Sequence, residues 1–262
     1  MNGGLSISEL HFQTWLAGFF WPFLRVGAVV LSAPVLNSRQ VPMRWRLLLA
    51  VVLTLVIAPS IAQVPVIDPL GLQAVLVAVQ QLLIGLAMGL ALQMAFAAVV
   101  FGGQMISLSM GLGFSQMVDP QNGVQVPVLS QYYVILSTFV FLLLNGHLIL
   151  IDLLAQSFAT LPIGAALGRD PMHTLVAWGS QMLAGGLLIA LPLVATLLLV
   201  NLGLGVIGRA APQLHILAIG FPIAILLGLT LIGLTLPGTV YGLTDLLEQA
   251  FALIRSMLSI KG

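Results

Sequence analysis

The stretch from Pro69 to Val118 contains no charged residue. Soluble domains are usually about a quarter charged, whereas only 6% of this chain is charged and 60% of it is hydrophobic. Such a stretch is stable in lipid or beneath other protein, where each backbone polar group has to find its partner within the protein. Helices satisfy that requirement internally. The sequence therefore predicts an all-α integral membrane protein.

The hydrophobic pattern predicts about six long helices and an amphipathic C-terminal helix. One of them, over Leu70–Phe101, would be roughly 48 Å long, against about 30 Å for the hydrocarbon core of a bilayer. A helix of that length must tilt strongly, break, or extend into a region lined by protein. The long helices are predicted over Phe12–Leu36, Leu47–Val66, Leu70–Phe101, Tyr132–Ala155, Thr174–Asn201 and His215–Pro237, and the amphipathic helix over Leu243–Ser259.

The segment Gly102–Gln131 differs from the helices on both sides of it. Its glycines each weaken a helix by about 1 kcal/mol relative to alanine, and its prolines lack a backbone donor. Its methionine, leucine and phenylalanine side chains nevertheless make it too apolar to lie in water. Non-helical backbone at membrane depth is tolerated where protein covers it or where it lines a cavity. We therefore predict a re-entrant element, with a helix break at Gly102 and Gly103.

The arginines offer a second set of candidate positions. Arg25 lies inside the first apolar segment, where a charge is costly, so its side chain either snorkels to the interface or pairs with a neighbouring helix. Arg44 and Arg46 belong to a basic turn, and Arg209 marks a later one. These three arginines are interpreted as surface or inter-subunit contacts rather than as groups that bind cargo. By the positive-inside rule, the charge balance places both termini in the periplasm, by a margin of one residue.

Several kinds of chemistry find little support. A net charge of +1 gives no electrostatic case for nucleic acid, and without cysteine there is no disulfide or thiolate site. The four histidines are isolated from one another, without the close spacing of a metal-binding pair. Asp119 and Asp152 are candidates for a proton relay, but Asp119 precedes a proline in a turn pattern and Asp152 lies near a helix end. We expect no enzyme activity, no cofactor and no metal.

Two classes of membrane protein remain. A secondary transporter or channel for a small solute would use broken helices around a site at the membrane midplane. The helix breaks predicted at Gly102–Gly103 and Gly203–Gly205 allow this. The alternative is one subunit of a protein-conducting complex, whose long apolar helices are covered by sister subunits. Methionine is flexible and apolar, so a segment rich in methionine can seal a pore around varied cargo. The length of the third helix and the apolar central segment favour the second class.

Three separated motifs carry a family resemblance. They are Arg25-Val-Gly-Ala with the later VPMRWR at Val41–Arg46, GGQMISLSMGLGFSQMVDP from Gly102, and GRAAPQLHILAIGFP from Gly208. Together they resemble the FliR family, the R-type export-gate subunits of flagellar and virulence type III secretion systems. The resemblance covers essentially the whole chain, with the flagellar branch favoured. One departure is His215, where this family more often has asparagine.

The resemblance implies a location and a set of partners. One copy of such a subunit is expected to assemble with five FliP-like and four FliQ-like subunits, next to FlhB-like and FlhA-like export proteins and membrane lipid. The gate would lie in the bacterial inner membrane at the flagellar basal body, with part of it projecting to the periplasmic side. Residues 1–172 would correspond to a P-type subunit that includes a plug loop at 102–131. Residues 173–262 would correspond to a Q-type hairpin with its amphipathic tail.

The resemblance also implies that this gate moves unfolded flagellar subunits and that the plug loop closes its channel at rest. In this hypothesis the methionines and Phe114 pack in the pore and the glycines let the loop move, whereas the alternative is that these side chains only fill the core. The residues assigned to the plug are Gly102, Gly103, Met105, Met110, Gly111, Gly113, Phe114 and Met117. Those assigned to subunit contacts are Arg25, Arg44, Arg46, Arg209 and Gln213.

Overall fold

The structure is a computed structural model that describes residues 7–38, 41–61, 65, 67, 71–112, 128–210 and 216–260. Throughout these ranges the regular secondary structure is helical, and none of these residues forms a strand, which confirms the all-α prediction. The helices are α1 (Ile7–Ser32), α2 (Met43–Ile57), α3 (Leu72–Ser109), α4 (Val128–Leu143), α5 (Gly146–Thr160), α6 (Arg169–Ala177), α7 (Gly179–Ala210) and α8 (Ile216–Met257).

Four stretches of the described chain are long and apolar enough to cross a membrane, and they include α2, α3, α7 and most of α8. Helices α4 and α5, taken together as one broken span, would make a fifth. Helix α1 adds a shorter apolar stretch at Ala17–Ser32. These findings agree with a membrane protein built from about six hydrophobic helices.

Two of the predicted helix breaks are wrong. Helix α3 continues through Gly102 and Gly103 to Ser109, and α7 continues through Gly203 and Gly205 to Ala210. The intrinsic cost of glycine in a helix is small enough for close packing between helices to override it. Conversely, the helix predicted over Tyr132–Ala155 is interrupted, because Asn145 adopts the left-handed conformation with φ of 54°.

The amphipathic C-terminal segment is not a separate helix. It forms the last turns of α8, which is continuous from Ile216 to Met257 although Pro222 and Pro237 lie within it. A proline removes one backbone hydrogen bond, and helices in apolar surroundings tolerate it where neighbouring groups compensate. Most apolar positions of the tail are buried, including Leu243, Ala250 and Ile254, so this face packs within the protein.

The chain divides into two compact units. Unit 1 contains Met1–Gln93, Asn145–Trp178 and Gln249–Gly262, and unit 2 contains Met94–Leu144 and Gly179–Glu248. Each unit therefore combines segments that are distant in sequence. The predicted boundary at residue 172 separates a part that resembles a P-type subunit from a part that resembles a Q-type subunit. These two units do not test that boundary, so it stays a prediction.

The core of unit 1 depends on a close approach between α1 and α3. A Cβ atom added at Gly85 would lie 2.7 Å from the Cβ of Ala28, and one added at Gly89 would lie 2.6 Å from the Cβ of Ser32. Real Cβ atoms essentially never come so close, so these two positions exclude any side chain larger than hydrogen. Gly85 and Gly89 begin and end the sequence GLAMG, and small residues four apart let helix backbones meet.

Candidate functional site at the end of helix α3

The end of α3 leads into the predicted plug, and it is packed tightly within unit 2. A Cβ added at Gly102 would lie 2.7 Å from the carbonyl oxygen of Gly186 in α7. One added at Gly103 would lie 3.0 Å from the Cα of Ser130 in α4. Both glycines are buried. They act in this structure as contact points between backbones, because only glycine leaves room for the neighbouring helix.

Met110 is the anchor of this helix end. Its side chain is 1% exposed and lies against Gly228 of α8, where an added Cβ would be 2.5 Å from the Met110 Cε and 2.7 Å from its Sδ. The missing side chain of Gly228 thus forms a notch that the methionine fills. Methionine suits such a notch because it is unbranched and flexible. Met110 therefore occupies the core of unit 2, and a part in closing a pore stays a prediction.

Gly111 ends the helix. Its φ is 78°, in the left-handed region that glycine adopts at low cost. The Gly111 backbone N–H donates to the carbonyl oxygen of Leu108, and that of Leu112 donates to Ser107, each at 3.0 Å. This pair of bonds is the Schellman motif, with Gly111 at the position just beyond the helix. The chain thus leaves α3 in a defined direction before the segment predicted to be the plug.

Two polar contacts strengthen this docking. The Asn201 side-chain amide of α7 donates to the carbonyl oxygen of Ser109 at 3.2 Å. The Ser130 hydroxyl of α4 donates to the carbonyl oxygen of Val100 at 3.1 Å. Both acceptors are carbonyls of α3, and that of Ser109 lacks a partner within its own helix, as do all four carbonyls at a helix end. Sequence analysis did not single out Asn201 or Ser130, although each is a polar residue in an apolar helix.

The remaining plug residues divide into two groups. Met105 is half-buried on α3 within unit 2. Gly113, Phe114 and Met117 lie outside the described residues, as does Gln213 among the predicted subunit contacts. The structure therefore brings together Gly102, Gly103, Met110 and Gly111 at one helix end, in contact with α4, α7 and α8.

Arg25 forms a second polar cluster, in unit 1. Its side chain is 0% exposed, so the snorkelling interpretation is wrong. The Nε atom donates to the Gln81 Oε1 at 2.9 Å, Nη1 donates to the Ser157 carbonyl and hydroxyl oxygens at 2.9 and 3.0 Å, and Nη2 donates to the Leu161 carbonyl at 2.8 Å. The guanidinium also lies 4.2 Å from the ring centroid of Phe158. These acceptors are neutral, in place of the ion pair that was the other alternative.

The position of those acceptors explains how a buried cation is tolerated. Ser157 lies in the last turn of α5 and Leu161 directly follows that helix. Carbonyl groups at a helix end carry the negative pole of the helix dipole, and arginine side chains can cap them. Arg25 thereby links α1, α3 and the end of α5. Sequence analysis missed Gln81 and Ser157, and their only sequence signal is that each is a polar residue in an apolar helix.

The other arginines among the predicted subunit contacts differ in exposure. Arg44 and Arg209 are exposed, and Arg209 lies in the last turn of α7, where the helix dipole favours a cation. Arg46 is half-buried and donates to the Asn37 side chain and the Ser38 carbonyl. Their contacts with other subunits stay predictions, as does such a contact for Arg25, whose hydrogen bonds are all within the chain.

The acidic and histidine residues show no assembled site in the part of the chain that the structure describes. Across that part, no three histidine, aspartate or glutamate side chains lie close enough together to hold a metal ion. Asp152 is exposed and accepts a hydrogen bond from the Gln156 amide at 2.8 Å. Asp119 lies outside the described residues.

Comparison with known proteins gives the family. Residues 16–250 match the family described as bacterial export proteins, family 1. The flagellar biosynthetic protein FliR of Escherichia coli K12 is 42% identical over 97% of this chain and 98% of its own length. The chain belongs to the FliR family of bacterial export proteins. This confirms the resemblance that the three motifs carry.

Further FliR relatives match over most of their length. The protein of that name from Pectobacterium carotovorum is 38% identical over 97% of this chain and 98% of its own. The one from Aquifex aeolicus is 32% identical over 88% of each chain. The flagellar names agree with the flagellar branch that the motifs favour. The family description names export and no reaction, so nothing here indicates catalysis.

Proposed function

We propose that this chain is a non-enzymatic core subunit of the flagellar type III export gate, and that it forms part of the channel for unfolded flagellar subunits. Family membership supports a part in flagellar export. The observation that carries the channel role is the mismatch between the length of the apolar helices and the thickness of a bilayer. A protein-conducting assembly accommodates that mismatch, because sister subunits cover what lipid does not reach.

The lengths make this concrete. At 1.5 Å per residue, the 38 residues of α3 extend roughly 57 Å and the 32 of α7 roughly 48 Å, whereas the hydrocarbon core is about 30 Å thick. Only 22% of the most apolar part of the span Arg169–Ala210, which includes α7, is buried within the chain, and the same share holds for the span Gly220–Met257 of α8. Apolar surface beyond the bilayer would otherwise face water, which is unfavourable in proportion to its area. We therefore expect other subunits to cover this apolar surface.

The partners follow from the family resemblance. We propose FliP-like and FliQ-like subunits as the cover, in the five-to-four-to-one assembly with one copy of this chain, and FlhB-like and FlhA-like proteins as neighbours. The assembly would lie in the inner membrane at the basal body. Its part beyond the bilayer would project to the periplasmic side.

The gating role belongs to the segment that follows α3. Met110 and Gly111 give it a fixed starting point, because one is held in the Gly228 notch and the other ends the helix in a defined turn. A loop that begins at a rigid anchor can block a channel at rest and move aside without unfolding the helix before it. Gly113 would let the loop move, and Phe114 and Met117 would supply its apolar side chains.

This role predicts that a shortened loop leaks ions. Residues 113–117 are deleted in the chromosomal gene, which leaves the Met110 anchor intact, and ion permeability of the inner membrane and secretion of filament protein are measured. We expect higher permeability than in the parent strain, because the seal has lost its apolar side chains. The purified complex is compared with that of the parent to verify assembly. Unchanged permeability in a correctly assembled complex would show that the loop does not close the channel.

A further inference from the structure

An apolar groove lies in unit 1. Its volume is about 160 Å³, and it is half-open along the side where α1 and α2 meet. Apolar residues and Gly27 form most of its wall, and Arg46 is the charged group among its lining residues. The lining includes Phe23, Gly27, Leu31, Met43, Arg46 and Leu47.

The groove lies beside a helix whose surface suits lipid. The span that begins at Met43 is only 17% buried within the chain, and large apolar side chains such as Leu48 and Val56 are exposed along it. Its first turn exposes Arg44 and Trp45, residue types that are enriched where a membrane meets water. We therefore place Arg46 at the level of the lipid headgroups, and the apolar lining residues towards the hydrocarbon.

Arg46 has capacity left for an anion. Its two terminal nitrogens donate to Asn37 and Ser38, and its Nε, which is occluded from solvent, has no hydrogen-bond partner among the residues that the structure describes. A buried donor without an acceptor is unfavourable, so an acceptor is expected beside it. Helix α2 has no acidic residue in its first turn to supply one. The positive charge of Arg46 and the apolar residues that line the groove are complementary to a molecule with an anionic head and a hydrocarbon tail.

We propose that this groove binds one acyl chain of an anionic phospholipid whose phosphate contacts Arg46. The size supports this occupant, because 160 Å³ is below the roughly 300–1,000 Å³ of pockets for compact small molecules. A methylene chain is slender and apolar, so it suits a small groove lined by apolar residues. The inference depends on the membrane location of the chain and not on its part in export.

Two glycines of α1 provide a matched pair of variants. Gly27 lines the groove and a Cβ added there meets no atom within 4 Å, so leucine at this position would extend into the groove without displacing the backbone. Gly18 is on the same helix with the same free space, but it does not line the groove. Gly27→Leu should therefore block the groove, while Gly18→Leu controls for the change of residue type.

The arginines provide a second pair. Arg46→Gln removes the charge at the groove, and Arg46→Lys retains it. Arg44→Gln removes an exposed charge from the same helix turn that does not line the groove. The complex is reconstituted in nanodiscs of phosphatidylcholine with a minor fraction of phosphatidylglycerol that carries a photoactivatable acyl chain. Cross-linked peptides are then mapped by mass spectrometry.

In the parent protein we expect labelling at Phe23–Leu31 and Met43–Leu47. Arg46→Gln should reduce it roughly fivefold, the effect of losing one basic residue at an anionic membrane surface. Gly27→Leu should reduce it at least as much, whereas Gly18→Leu, Arg44→Gln and Arg46→Lys should retain it. Equal labelling in the Gly27→Leu and Gly18→Leu variants would overturn the proposal. Capture of a sister subunit by a photoreactive residue placed at position 27 would also overturn it, because protein would then occupy the groove.

Discussion

At the residue scale, Arg25 shows how a charge can be part of an apolar core. Its guanidinium is wholly buried, yet Gln81, Ser157 and Leu161 supply neutral acceptors at normal hydrogen-bond distances. The guanidinium is planar and has five N–H donors, so it reaches acceptors on α3, on α5 and on the residue that follows α5. A lysine ammonium has three donors on one nitrogen and cannot make the same set of hydrogen bonds. Arg25 is therefore best described as a cross-link between helices of unit 1.

Replacing Arg25 tests that description. Hydrogen bonds to a charged group contribute about 1.5–3 kcal/mol each, and the orphaned acceptors add a desolvation cost, so Arg25→Met should destabilise the protein by roughly 3 kcal/mol or more. Arg25→Lys should recover only part of this. The measurement is the apparent Tm of the purified complex in mild detergent, followed by tryptophan fluorescence.

Gln81 supplies the control for this prediction. Gln81→Ala alone should cost less than Arg25→Met, and the double variant should cost less than the sum, because both changes remove the same hydrogen bond. If Arg25→Met melts at the same temperature as the parent, the cluster does not stabilise unit 1.

At the element scale, the end of α3 is fixed by fit between helices and not by helix propensity. Gly102, Gly103 and Gly228 all lie within helices, although each lowers intrinsic helix stability by about 1 kcal/mol relative to alanine. The missing side chain leaves room for the α7 backbone at Gly102 and for the Met110 side chain at Gly228. Contacts of this kind are common between helices in membranes, where small residues permit close packing.

The Gly228 notch leads to a prediction that has a control on the same helix. Gly228→Ala places a methyl group against Met110 and should destabilise the complex by roughly 1–3 kcal/mol, the usual cost of overpacking. Gly233→Ala makes the same change where an added Cβ meets nothing within 4 Å, so it should be neutral or stabilising. The apparent Tm of the two complexes checks this.

Rescue distinguishes the notch from a general defect of α8. Met110→Ala leaves a cavity and should itself destabilise the complex, but the added methyl of Gly228→Ala fills part of that space. The double variant should therefore be more stable than the sum of the two changes predicts. Strict additivity would mean that Met110 does not occupy the Gly228 notch.

At the scale of the whole molecule, the chain leaves much of its apolar helix surface uncovered. Large side chains on α7 such as Leu188 and Leu199 are 68% and 70% exposed within the chain. Lipid can cover only part of helices that exceed the bilayer thickness. We therefore predict that the stability of this chain depends on its assembly with other subunits.

Expression with and without the sister subunits tests that dependence. Produced alone and extracted in mild detergent, the chain should aggregate or be degraded. Produced from its operon, it should purify as one copy in a complex with FliP-like and FliQ-like subunits. Native mass spectrometry of the particle gives both composition and copy number. A stable monomer or dimer that binds a small solute would contradict the export-gate assignment and support the transporter class.

Several features of this protein follow from the sequence alone. The uncharged run from Pro69 to Val118 predicts membrane helices, because a helix pairs its backbone groups within its own segment in apolar surroundings. The small residues at Gly85 and Gly89 predict a close helix contact. Three motifs in order indicate the family. These properties depend on residue types and on short spacings along the chain, so the sequence is enough to predict them.

Other features were decided by tertiary structure. Gly102 and Gly103 do not break α3, because packing against α7 and α4 outweighs their small intrinsic cost. Gly111 ends the helix nine residues after Gly102, in a capped turn that the apolar pattern did not locate. The acceptors of Arg25 are 56 to 136 residues away along the chain, and the groove beside Arg46 exists only where α1 meets α2. Contacts between distant residues depend on three-dimensional proximity, which residue order does not specify.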